Sequence, residues 1–414
     1  MQLAYFTEQP LTTYPEEEAF TRQPDDHPAR QDESVLLFSN KFFNPVDASR
    51  LYDERLTEYR LAEEVGFDAI MTNEHHNGPY CMQTRCNIVT TAIAMHTERV
   101  RLLQLGNPLP LWDNPVLLAE EIALIDLLSK GRLISGIVRG GGQEQIAINV
   151  NPAYNRDRFR EAHDLMIKAW TVPGPWRWEG EHFDVRVVNP WALPLQKPHP
   201  RIYVPGVSSK ETILFAAEHG YPYVCLSTTV DQTKAIWKLY DEEAERRGYE
   251  AGPQHRGYLM RCHVQRDEDH AKKNAENYDW MQGEFTGISN PVWKAPTGYS
   301  SIEAKKARFK PYKKVSIDER VASGSIVAGT PKQAIESIRM WMEETRPGTL
   351  IMLANDGRIS HEDSMMCIRL LGEEVFPAVR EIAKSLDLAD PFEIDAPVSL
   401  AHANQLLAAQ STAH

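Results

Sequence analysis

What most constrains this chain is a rhythm. Short runs of β-branched and other apolar residues alternate, almost from end to end, with amphipathic stretches of helical period. Such alternation predicts βα units assembled into a parallel sheet. Met1–Phe6 reads as the first strand, and further strands begin at Asp68, Val100, Leu133, Ile202, Tyr223, Tyr258 and Thr349. Eight such units within 414 residues predict an α/β fold of the (β/α)8 TIM barrel type with insertions. The intervening helices are read over 47–65, 85–96, 114–129, 158–170, 211–218, 232–247, 334–344 and 364–382. Asp47, Asn114 (before Pro115) and Thr330 (before Pro331) are their expected N-caps.

The rhythm breaks near 8–46, 173–200 and 266–325, which are read as insertions in a single domain spanning 1–385. The first is polar and Pro-containing, and a loop that long in a compact domain tends to serve function. The second, rich in Pro and Trp, reads as a surface hairpin. The third is a polar, helical insertion whose basic cluster (Lys305, Lys306, Arg308, Lys310, Lys313, Lys314) suits a solvated surface or a lid. The Ala-rich tail, 386–414, is expected to pack loosely or on a partner.

Composition narrows the function classes. At 42% hydrophobic and 25% charged residues the chain is globular, with a core large enough to seat a sizeable cofactor. A net charge of −13 disfavours a nucleic-acid binder, which needs clustered cations against phosphates. The start lacks the basic and apolar regions of a secretory signal, and no run approaches the roughly 18 apolar residues of a membrane span. Five cysteines without a CxxC pair fit reduced thiols in a cytoplasmic protein.

In such a barrel, chemistry gathers where strands end and loops begin. The second strand ends in Asn73-Glu74-His75-His76. Adjacent side chains on a strand point oppositely, so one of the two histidines faces the barrel mouth. For the same reason the pair is a poor metal site, and no His-x-His occurs elsewhere. The third strand runs into Gly106-Asn107-Pro108. The fourth ends in Arg139-Gly140-Gly141-Gly142, where bare backbone lets a flat or anionic ligand approach and Arg139 can pair with phosphate. Because position 145 is Gln, the run does not satisfy the dinucleotide pattern G-x-G-x-x-G. The fifth ends in Gly206-Val207-Ser208-Ser209 and opens a helix, whose free amides and hydroxyls suit a phosphate. The residues thus predict a barrel holding a planar, phosphate-bearing cofactor beside a histidine.

Several of these segments resemble the bacterial luciferase-like flavin monooxygenases. GFDAIMTNEHH is similar to that family's second strand, and NPVLLAEEIALIDLLSKGRLISGIVRGGG to its third helix, fourth strand and glycine loop. PRIYVPGVSSKETILFAAEHGYPY is similar to its phosphate-binding strand and helix, and VAGTPKQAIESI and SHEDSMMCIRLLGEEVFPAV to its last βα unit. The resemblance implies FMN, with Asn107 against the flavin, Arg139, Gly140, Gly141, Ser208 and Ser209 around the phosphate, and His75 or His76 facing the reactive ring. It further implies a non-proline cis peptide near Gly106–Asn107. Val138 stands where the luciferase α subunit has a reactive cysteine, which argues against light emission but not against flavin chemistry. The implied activity is that of a two-component monooxygenase. Reduced FMN from a separate flavin reductase would react with O2, through a flavin C4a-hydroperoxide, to hydroxylate or Baeyer–Villiger-oxidise a bulky terpenoid, ketone or polyketide-like substrate. A homodimer pairing through the early helices is implied as well. A deazaflavin-dependent oxidoreductase of the same fold and a non-catalytic flavin-binding protein are the alternatives.

Overall fold

The structure, a computed structural model, describes residues 1–14, 40–278 and 315–411. Most of the first and third insertions, including the basic cluster from Lys305 to Lys314, lie outside the described residues.

Eight parallel strands close a barrel: β1 (Gln2–Thr7), β2 (Ala69–Thr72), β3 (Arg101–Pro108), β4 (Leu133–Val138), β7 (Arg201–Gly206), β8 (Tyr223–Leu226), β9 (Arg256–Val264) and β11 (Thr349–Asn355). Around the ring they run β9, β11, β1, β2, β3, β4, β7, β8, and β8 pairs back onto β9. The second insertion is the expected antiparallel hairpin, β5 (Trp176–Glu179) with β6 (Asp184–Val188). One short strand is not announced by the sequence pattern: β10 (Val327–Gly329) continues the sheet beside Cys262–Val264 of β9.

Period-two alternation divides the core into two layers. Ala4, Phe6, Met71, Leu103, Leu259 and Leu353 fill the barrel interior. Leu3, Tyr5, Ile70, Leu102, Tyr258 and Met352 point outward beneath the helices. The helices around the barrel are α1 (Pro45–Glu64), α2 (Cys86–His96), α3 (Pro115–Leu128), α4 (Gly142–Ala147), α5 (Asn155–Thr171), α6 (Lys210–His219), α7 (Val230–Arg246), α8 (Glu268–Ala275), α9 (Ile317–Ala322), α10 (Pro331–Thr345), α11 (His361–Leu370) and α12 (Phe376–Ser385), of which α8 and α9 pack on the interior layer through Ala275, Ile317 and Val321. No helix among the described residues is long and apolar enough to cross a membrane.

Local chemistry explains where the helices begin. Asn114 caps α3 as expected, accepting from the Val116 amide at 3.0 Å. For α1 the cap is Asn44, not Asp47: its Oδ1 accepts from Val46 and Asp47 amides, and Pro45 occupies the first helical position, where no N–H is needed. The last helix is two, α11 and α12, joined by a π turn at Leu371–Val375. There Gly372 lies so close to the Val65 carbonyl that a side chain would overlap it.

The tail departs from loose packing over its first half. Arg201 donates to the Ala396 and Pro397 carbonyls, and the Arg101 and Arg201 guanidinium groups lie 3.4 and 5.0 Å from the Phe392 ring. Because Arg101 and Arg201 begin their strands, this segment plugs the barrel end opposite the strand carboxyl termini. α13 (Leu400–Ser411) buries no residue.

Candidate active site

At the carboxyl ends, β3 and β4 approach unusually closely. A Cβ on Gly136 would overlap the Gln104 carbonyl, and one on Gly106 would overlap Gly136. The Leu105–Gly106 peptide is cis, one bond before the place the resemblance implies. Asn107 is fully buried and engaged on the helix side of β3: its Nδ2 donates to Gln104 Oε1 at 3.3 Å, and its Oδ1 receives the Cys86 thiol of α2 at 3.6 Å.

The two histidines after β2 have different partners, as oppositely directed side chains must. His75 Nδ1 lies 2.8 Å from Glu144 Oε1, and its ring packs against Tyr80. His76 Nε2 lies 3.2 Å from Glu74 Oε1, and the buried Glu74 also receives Arg85 and the Cys86 amide. Glu74 therefore ties the His76 loop to the start of α2. Burial by itself opposes charge on His75, but Glu144, with Glu8 and Glu74 behind it, outweighs that and lifts its pKa to about 9. Burial likewise works against charge on Glu144, yet His75 and the Gly141 amide hold its carboxyl below the ordinary value. The result is an imidazolium–carboxylate pair at neutral pH.

The glycine loop after β4 delivers Glu144. Gly140 adopts φ +75°, a backbone that disfavours any side chain, and the Gly141 N–H donates to Glu144 Oε2 at 2.8 Å. That amide is spent within the protein, so the loop's visible work is to fold Glu144 back toward His75. Glu144 is a residue the sequence pattern does not single out; the only local signal is its spacing three residues after Gly141.

Arg139 and Ser209 do come together. Arg139 Nη2 donates to Ser209 Oγ at 3.3 Å, and Nη1 to Asn155 Oδ1 at 3.0 Å. Ser209 occupies the N-cap of α6 without capping through its side chain, while Ser208 is exposed beside it. Beneath them the Tyr223 hydroxyl is buried without a hydrogen-bond partner among the described residues, and a Cβ on Gly206 would overlap it. The Arg139 guanidinium, the Ser208 hydroxyl, helix amides and an orphaned phenol form a donor set that fits a phosphate monoester such as the end of FMN, while Ser209 Oγ donates to Glu211 Oε2 at 3.1 Å.

Residues 33–347 match the family described as luciferase-like monooxygenase. The alkanal monooxygenase alpha chain of Photobacterium leiognathi is 25% identical over 352 residues, covering 81% of this chain and 96% of that one. The oxygenase component of the flavin-dependent trigonelline monooxygenase of Acinetobacter baylyi is 30% identical over 45% of this chain and 52% of its own length. Limonene 1,2-monooxygenase of Rhodococcus erythropolis is 22% identical over 80% and 82%. Among solved structures, the monooxygenase RslO1 of Streptomyces bottropensis shares the fold, with a TM-score of 0.68 at 22% identity over 92% of this chain and all of that one. So does the FMN complex of the oxygenating constituent of 3,6-diketocamphane monooxygenase from Pseudomonas putida, with a TM-score of 0.67 at 22% identity over 80% and 94%. With a matched segment spanning all but the ends, the chain belongs to the luciferase-like, flavin-dependent monooxygenases.

Proposed function

We propose that this protein is the oxygenase of a two-component system, taking reduced FMN from a separate reductase and using O2 to hydroxylate or Baeyer–Villiger-oxidise a bulky organic substrate of terpenoid, ketone or polyketide type. The observation that carries this reading is the pairing, at one barrel mouth, of an anion cradle with a proton-bearing histidine. Reduced flavin, when bound, supplies the electrons that activate oxygen. Arg139, Ser208 and Ser209 hold its phosphate, the Gly140–Gly141 turn borders it, and Asn107 lies at the strand end between phosphate and histidine. His75 is held by Glu144 at Nδ1, which leaves Nε2 to donate a proton to an oxygen atom in the mouth. His76, tied to Glu74, braces the loop.

The names of the relatives support separate delivery of flavin, since one is called an oxygenase component. Five cysteines that are all unpaired fit a reducing, cytoplasmic setting. Exposed Ile88 and Met95 of α2 with Leu117, Leu124 and Leu128 of α3 form an apolar face for pairing two copies. Other relatives are named for coenzyme F420, so the experiment sets the two cofactors side by side. Reduced FMN and reduced F420 are each titrated into the protein, then mixed with ¹⁸O2 and a panel of terpenoids and ketones. Preferential FMN binding and labelled product uphold the reading; preference for F420 with no label in any product overturns it.

A further inference from the structure

Away from the histidine and the phosphate cradle, three ionisable side chains from adjacent strands are buried at the same mouth. Arg261 points inward from β9, in phase with Leu259 of the barrel interior, and Glu8 follows β1 in phase with Ala4 and Phe6. Asp356 follows β11, and a local irregularity sets its direction. The β1–β11 register slips by one residue, so that Phe6 faces Leu353 but Thr7 faces Asn355. Asn355 is spent on α11, its Nδ2 donating to Ser364 Oγ at 2.6 Å, while the charges acting on Asp356 are those of Glu8 and Arg261.

These groups are not satisfied by one another. Asp356 is 0% and Arg261 7% exposed. Both carboxylate oxygens of Asp356 and Nε of Arg261 lack a hydrogen-bond partner among the described residues. Glu8, by contrast, is held by Asn73. Burial and the neighbouring Glu8 push the Asp356 carboxyl up to about 8, and a buried polar group left without a hydrogen bond is costly, a cost that a ligand supplying the missing bond would relieve. Around the ring, this pair lies on β9 and β11, the phosphate cradle on β4 and β7, and His75 on β2, between the two on the β1 side.

We propose that Arg261 and Asp356 are substrate-binding residues that take an oxygenated end of the substrate, Arg261 bonding a carbonyl oxygen and Asp356 an adjacent hydroxyl. This deepens the monooxygenase reading on which it rests: the substrate is an already oxygenated molecule of the hydroxy-ketone class, not a bare hydrocarbon. The two side chains fix which end of it is turned away from His75.

The test uses three probes of similar size, ethylbenzene, acetophenone and α-hydroxyacetophenone, titrated into the purified full-length protein and followed by ligand-observed NMR without turnover. The expected order of affinity rises along that series, the bond to the charged Arg261 contributing roughly 10- to 100-fold and the bond to the Asp356 carboxyl roughly 3- to 10-fold. Arg261→Met removes the gain due to the ketone, and Asp356→Leu removes the gain due to the hydroxyl. Circular dichroism checks that each variant is folded, and Arg261→Lys, which keeps the charge but loses the fork, serves if Arg261→Met does not fold. Equal affinity of the parent for all three probes, as expected if buried water alone fills the gap, overturns the proposal. So does a gain that survives in both folded variants. If FMN fails to bind while the affinity order holds, the polar subsite stands and the flavin reading falls.

Discussion

His75 Nδ1 and Glu144 Oε1 are joined at 2.8 Å although 69 residues separate them, and the bond reaches from the end of β2, past β3, to the helix after β4. It couples the histidine loop to the glycine loop through charge, so its ionisation bears on both the protonation of the mouth and its rigidity.

The pair's pH dependence follows from its sign. Folding raises the His75 pKa from about 6.5 to about 9, so the folded state favours the proton. The stabilisation is complete below about pH 6.5 and fades as pH rises toward 9. We expect the parent to unfold at higher urea than His75→Gln at pH 6, with the gap closing by pH 9.5. A gap that is constant over this range would show that His75 is not charged in the folded protein.

Catalysis should be more sensitive than stability. His75→Ala is expected to keep the fold and most of the FMN affinity but to lose product formation by about 10²–10⁴, the usual worth of one general acid–base group. Oxygen consumption should continue, appearing as hydrogen peroxide instead of product. Single-turnover mixing of the reduced complex with oxygenated buffer measures both. Loss in His76→Ala with none in His75→Ala would exchange the two roles.

Arg139→Ala should weaken binding of reduced FMN by about 1.5–3 kcal/mol, the range for hydrogen bonds to a charged group. Anaerobic titration of both proteins reads it directly. The comparison with riboflavin, which lacks the phosphate, is the control: Arg139→Ala should leave riboflavin affinity unchanged.

Much of the barrel is legible in the sequence because its strands are short apolar runs with polar ends; β4 and β8 fall on the residues expected of them. Arg139 and Ser209 could be brought together on paper because both end strands that neighbour each other once the barrel closes. What escapes is whatever depends on a distant partner or on an irregularity. Nothing near Glu144 says that His75 will sit against it, and nothing near Asp356 says that a slipped register will turn it toward Arg261. The cap at Asn44 escapes for a different reason: Asp47 is as good a capping residue, and only the backbone geometry at Pro45 decides between them.

Gly206 is expected to tolerate no side chain while Tyr223 keeps its hydroxyl. Gly206→Ala should cost about 1–3 kcal/mol of stability, as overpacking does, and adding Tyr223→Phe should recover most of it, since the hydroxyl oxygen is the nearest obstacle. Urea denaturation of the single and double variants tests this. Failure of Tyr223→Phe to recover stability would place the strain elsewhere.

The apolar face on α2 and α3 yields a last expectation. Leu124 is half exposed in the single chain, and Leu124→Glu should halve the mass seen by light scattering at micromolar concentration without unfolding the barrel. A parent protein that is already monomeric at that concentration would refute the dimer.

The slipped register between β1 and β11 has a further meaning for how such a mouth is inherited. One extra residue in a strand decides whether an amide or an acid is presented to the cavity, with every side chain keeping its identity. Paired without the slip, the same sequence would set Ala354 against Thr7 and would bring Asn355, not Asp356, level with Glu8 at the mouth. Here the polarity of a binding surface is written in the pairing of two strands, so a one-residue change of register, with no substitution at all, would rewrite what the barrel recognises.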